Sequence, residues 1–206
     1  MNSYSYEKKR RFIETLIFRK SQPIIDSLSN MLCVSITLFD AKGNFVYQSS
    51  WKNEYCEETK KLSLGSSEDD SDCSRHYKKI IDYVKNYQMP YIQECPRELF
   101  TIAYPLIIQD INQEVFSDVL LGILFFSPMI LSDKLNSNEE NFLAFEIKEN
   151  NNLRYSQFTE PFGTVKSMSS TEISQIKDLT YAIFGEMIGS SWEIAQIVDN
   201  SVALQN

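Results

Sequence analysis

The sequence predicts an α+β fold built on a mostly antiparallel sheet, and three observations carry that prediction. Apolar residues recur at helical spacing near both ends of the chain. Two β-rich runs are joined by the turn Asp40-Ala-Lys-Gly43. Three further β-rich runs follow a helix that begins among acidic residues.

In order, Glu7 to Leu16 is a charged, moderately amphipathic helix. A second helical pattern carries Ile24, Ile25, Leu28, Met31 and Leu32, with Pro23 suited to its first turn, so this region is two helices or one kinked helix. Val34 to Phe39 alternates with period two, and Asn44 to Gln48 returns as its hairpin partner. Cys33 opens that first strand and reads as a small buried hydrophobe. Trp51 to Asp70 is polar and reads as a long loop. Asp69, Asp70 and Asp72 then supply the negative charge a helix start favours. The helix to Tyr87 places Cys73, Tyr77, Ile80, Ile81 and Val84 along one side, and Met89-Pro90 stops it. Tyr91 to about Gln109 is a strand pair broken at Cys95-Pro96, and Val119 to Ser127 is a strand covered on both faces and closed by Pro128. Asn138 to Asn150 is a short helix with Phe142 and Phe145. Ser169-Ser-Thr-Glu172 is a capping box that launches the last helix, which extends toward Leu204. Five strands interrupted by a helical crossing fit a PAS-like ligand-binding module with helical extensions at both ends.

Composition narrows the function. The 206 residues suit one domain plus extensions, and 43% apolar with 13% aromatic residues suffices for a core. A formal charge of −8 repels phosphate backbones, so no direct nucleic-acid binding is expected. The N-terminus lacks a signal-peptide apolar core. The longest apolar run, Val119 to Phe126, is far short of the roughly 18 residues that span a bilayer. A soluble, cytoplasmic protein with no membrane partner is expected, its four cysteines thiols or ligands rather than disulfides.

Cys56, Cys73 and Cys95 are separated by 16 and 21 residues, with no Cys-x-x-Cys pair. On spacing alone they are buried structural thiols or, alternatively, ligands. Cys73-Ser-Arg-His76 puts a thiol and the chain's one histidine on one helix face, so Cys56, Cys73, Cys95 and His76 would make a zinc set. The simpler reading of His76 is a half-exposed surface residue. Trp51, Tyr91, Phe100 and Tyr104 surround the cysteines in sequence, with Thr101, Gln93 and Arg97 as polar tips, which is how a small-molecule pocket is lined. An ordinary aromatic core is the alternative. With no nucleophile motif, no phosphate-cradling loop and one histidine, no catalytic site is expected. Ile176, Thr180, Ile183, Met187, Ser190, Ile194, Ile197, Ser201 and Leu204 form a diluted heptad seam. Its first half suits the domain's own sheet up to about Met187. The second half suits a dimer or signalling partner, and Gly185 and Gly189 mark a face a helix could approach closely.

These residues resemble the PocR-type sensory domain. Ser35 to Asn44 looks like its early strand and Asp-x-x-Gly turn, and Tyr55-Cys56 and Asp72-Cys73 are similar to its loop and helix cysteines. Tyr91 to Leu99, Tyr104 to Ile107 with Leu121-Gly122, and Lys166 to Glu172 resemble its Cys-bearing strand, the following strands and the segment before its closing helix. Where the family commonly has Cys-His-x-Gly-Leu, this chain reads Cys95-Pro-Arg-Glu-Leu99. The resemblance implies a non-enzymatic, PAS-like sensor of a small hydrocarbon derivative such as a diol. Its divisions would be a helical extension at 1–21, the sensory domain at 22–190 and a signalling or dimerisation helix at 191–206. Cys56, Cys73 and Cys95 would line its site with Trp51, Tyr91 and Tyr104. The partner would be a second copy or an output protein such as a transcription regulator. Two rivals remain: a redox or metal sensor holding zinc or an iron–sulfur cluster on the same thiols, and a scaffold acting through the heptad helix alone.

Overall fold

A computed structural model of the chain describes residues 3–51, 72–95, 99–108, 119–132 and 165–203. Helix α1 runs unbroken over Ser3–Leu32, with Pro23 in its interior rather than in a first turn. Proline removes one backbone bond there, but Ile17 and Ile25, on either side of it, are both fully buried, so each half is anchored in the same core. The helix ends on Cys33, held at φ 54°. The N–H of Val34 reaches back to the carbonyl of Ser29 (3.3 Å), the pattern of a Schellman cap. Cys33 is thus an exposed helix terminator, not the buried residue at a strand start that its apolar neighbours predict.

Strands β1 (Ser35–Asp40) and β2 (Phe45–Gln48) form the predicted hairpin. Asp40 builds its turn: its carboxylate accepts the N–H groups of Lys42 and Asn44 and the Asn44 side-chain amide, each at 2.8 Å. Gly43 adopts φ 91°, and a Cβ there would lie 2.7 Å from a methyl of Ile81, so both conformation and space call for glycine.

Helix α2 (Asp72–Tyr87) follows, closed by Gln88 at φ 51°, whose N–H bonds the Val84 carbonyl at 2.8 Å. Then come β3 (Tyr91–Glu94), β4 (Phe100–Ile108), β5 (Val119–Leu131) and a short β6 (Lys166–Met168) that the sequence did not reveal. The order across the sheet is β2-β1-β5-β4-β3. All these pairs are antiparallel, while β6 runs parallel to the end of β5.

Two prolines fail to stop strands. At Pro105, β3 no longer pairs beyond Ala103, so among the described residues β4 there is bonded to β5 alone. At Pro128, β1 has ended opposite Ser127 and β6 begins opposite Met129, while the β4 register slips between Phe100 and Ile102. Pro128 therefore falls at a bulge between neighbours, where a missing N–H breaks no ladder. β5 continues to Leu131 instead of closing at Ser127.

The sheet is covered on both faces. On one, Ile36, Leu38, Ile102, Tyr104, Leu124 and Phe126 pack with Ile17 and Ile25 of α1 and with the last helix, α3 (Ser170–Ala203). On the other, Ala103, Ile123 and Phe125 pack beneath Ile80 and Val84 of α2. The capping box is formed: the Ser169 N–H and hydroxyl both reach Glu172 Oε2 (2.7 and 3.0 Å), and the Glu172 N–H returns to Ser169 Oγ at 3.2 Å. Ser169→Ala is expected to cost about 1 kcal/mol and to lower Tm by about 2–4 °C in a thermal melt.

The buried stripe of α3 is Ile173, Ile176, Thr180, Phe184, Met187, Ile188 and Ser191. The predicted seam holds to Met187 and then parts from it: Ser191, not Ser190, is buried, and Ile194 and Ile197 are exposed. Among the described residues, nothing lies within 4 Å of where a Cβ would stand on Gly185 or Gly189. Among the described residues, no helix is long and apolar enough to cross a membrane. The predicted loop at 52–70, the turn at 110–117 and the helix at 138–150 lie outside the described residues.

Candidate functional site

Strand pairing sets which side chains meet on the α2 face. Ser35 pairs with Ser127, and Gln93 pairs with Thr101. The Thr101 and Ser127 hydroxyls are 3.0 Å apart. Ser35, Ser127, Thr101 and Gln93 thus form a polar row crossing four strands on this face. Helix α2 lowers two groups onto it: His76 Nε2 lies 3.3 Å from Thr101 Oγ1, and the Tyr77 hydroxyl donates to Ser127 Oγ at 3.5 Å. Gln48 closes the far end by donating to Ser35 Oγ at 3.1 Å. The next row, Tyr91, Ala103, Phe125 and Thr37, is the boundary with the apolar core under α2. There Tyr91 stacks on Tyr83 (centroids 3.9 Å apart, planes 23°), and Phe125 meets Phe39 and Tyr77 edge-on.

His76 is 5% exposed, against the half-exposed position its polar surroundings in sequence predict. Burial penalises its charged form, and repulsion from Lys79 adds to this, so its pKa lies below the ordinary 6.5 and the ring is neutral at neutral pH. The unfolded chain takes up a proton near 6.5 and the folded chain only at lower pH. Stability from this group is therefore complete above 6.5 and falls as pH drops through that value. Tm is expected to decline between about pH 7.5 and about pH 5.5, and His76→Gln to flatten that slope. Two carboxylates act in a separate, more acid range. The Tyr47 hydroxyl and then the Ser50 N–H lower Asp26 from 3.8. At Asp40, burial pushes upward, but the hydrogen bonds from Asn44, Lys42 and Gly43 outweigh it and leave the carboxyl below 3.8.

The predicted site residues divide by face. Cys73 is half-buried one turn before His76 and Tyr77 on α2. Cys95 is half-buried two positions past Gln93, its N–H bonded to the Leu99 carbonyl at 2.6 Å. Tyr91 shares the face of Gln93. Tyr104 does not: Tyr91 pairs with Ala103, so the neighbouring Tyr104 points to the α3 side. There its hydroxyl donates to the Ile173 carbonyl at 3.3 Å, and burial, then Tyr181 and Asp178, raise its pKa. Half-buried Trp51 follows β2, at the sheet edge opposite β3. Cys56 lies outside the described residues. Among the described residues no three His, Cys, Asp or Glu side chains are placed to hold a metal ion, so Cys73, Cys95 and His76 do not by themselves form the predicted set.

Thr101 and Gln93 were legible as polar tips, but Ser127 and Ser35 were not singled out. Their signal is a serine inside an apolar run, and the meaning of that serine depends on register.

In comparison with known proteins, the family model described as the sensory domain found in PocR matches residues 14–192. Neither the curated proteins nor the solved structures contain a match.

Proposed function

Because the chain belongs to the PocR sensory-domain family, whose role is ligand-sensing signal transduction, we propose that it binds a small, uncharged hydrocarbon derivative on the α2 face of the sheet and reports occupancy through α3. The polar row from Ser35 to Gln93, with His76 and Tyr77 above it, is the observation that carries this reading. Hydroxyls, an amide and a neutral imidazole match alcohol groups and offer no fixed charge to a carboxylate or an ammonium. Cys73 and Cys95 flank the row, and Cys56 would join them. Strand β4 supplies the route outward: Thr101 faces the row while Tyr104, three residues on, holds the first turn of α3 and touches Tyr181. A ligand that favours one placement of β4 then shifts the population of α3 arrangements. The exposed Ile194 and Ile197 would pass this to a second copy or an output protein, as in a cytoplasmic regulator of transcription.

The test is thermal and calorimetric titration of the purified chain with ethylene glycol, propylene glycol and glycerol, alongside elemental analysis of anaerobically prepared protein. A saturable stabilisation by one of them supports the reading. Stoichiometric zinc or iron, or no response to any of the three, contradicts it; bound metal would favour a metal or redox sensor that recruits Cys56.

A further inference from the structure

Resting on that reading of the α2 face, we infer that Gln93 is the specificity-determining residue of the site, and that it selects ligands presenting a hydrogen-bond donor over those presenting only acceptors. The hydrogen-bond inventory of the row leads there. Ser35 Oγ has the Gln48 amide, Ser127 Oγ has Tyr77 and Thr101, and Thr101 Oγ1 has Ser127 and His76. At the end of the row, Gln93 Oε1 is buried and, among the described residues, has no hydrogen-bond partner. A buried amide oxygen left without a donor is costly and uncommon in native proteins. Its neighbour across the strand pair, Thr101, is already engaged twice. None of the described residues supplies the missing donor, and an O–H or N–H of a bound ligand would. An alcohol supplies one, whereas an ether or a ketone of the same shape places a second acceptor against it. The folded domain carries the cost of this atom until ligand arrives, so the same residue couples occupancy to stability.

Gln93→Met separates the possibilities, because methionine keeps the length of the side chain and removes the amide. Without ligand, the variant is expected to melt about 2–4 °C higher than the parent, since the unsatisfied atom is gone. In titrations, the parent is expected to prefer propylene glycol over its dimethyl ether, which keeps both oxygens as acceptors but has no O–H, about tenfold, and the variant to bind the two about equally. A ligand-free Tm that is unchanged or lower means the amide is satisfied within the protein, and overturns the inference. So does a preference for the alcohol that survives in the variant. Either result leaves the site reading intact if the parent still binds. A parent that binds neither compound overturns the site reading and this inference together.

Discussion

Thr101→Val is expected to weaken ligand binding at least about tenfold and to destabilise the domain by about 1–3 kcal/mol. Valine matches threonine in shape, so packing between β3 and β5 is kept and only the hydroxyl is lost. That hydroxyl is shared by His76 at 3.3 Å and Ser127 at 3.0 Å, both among the buried polar residues of the domain. Removing it strands a buried imidazole nitrogen and takes the middle out of the row. Thr101→Ser restores the oxygen and is expected to recover most of the binding. Thermal melts and calorimetric titration with the glycols check both. A valine variant that melts and binds like the parent would show that the row is a packing feature.

Gly122→Val is expected to have the largest effect on folding, about 3 kcal/mol or more. The position is the fourth residue of β5, opposite Asp40 at the end of β1. A Cβ there would lie 2.7 Å from the Phe39 carbonyl oxygen, which is backbone and cannot rotate aside. Any side chain must push the end of β1 from β5, the central strand of the sheet, and so break their pairing there. A loss of this size is a large part of a typical domain's roughly 5–15 kcal/mol. Denaturant unfolding followed by fluorescence would measure it.

The elements themselves were largely legible because their causes are local. The Asp40-to-Gly43 turn and the Ser169–Glu172 cap each depend on a few adjacent residues, and the structure shows both of them formed. The prolines misled for the opposite reason. A proline ends an element only where its N–H or its neighbour is needed, and that is set by distant chain. Pro23 is spanned by buried Ile17 and Ile25, and Pro128 sits at the bulge beside Thr101.

The site was legible in part. Of the candidate residues, Cys73 lies on α2 and Tyr91 on the sheet face beneath it, as the order in the chain suggests, because a helix followed directly by a strand packs over that strand. What the sequence could not supply was register. Tyr91 and Tyr104 look alike in the chain, yet the pairing of Tyr91 with Ala103 sends them to opposite faces. Tyr104 becomes the contact to α3 rather than a partner of Tyr91. His76 looked like a surface residue among Arg75, Lys78 and Lys79, but helical rotation turns it inward onto Thr101 while Lys78 and Lys79 stay exposed.

The chain contains one histidine, so its imidazole gives a single, unambiguous set of nuclear magnetic resonance signals. Following those signals while propylene glycol or another of the glycols is titrated to saturation tests directly where the ligand sits. Occupancy of the α2 face predicts that the His76 ring signals move with the same binding curve that calorimetry reports. Binding that saturates while the ring signals stay fixed would place the ligand elsewhere and contradict the account.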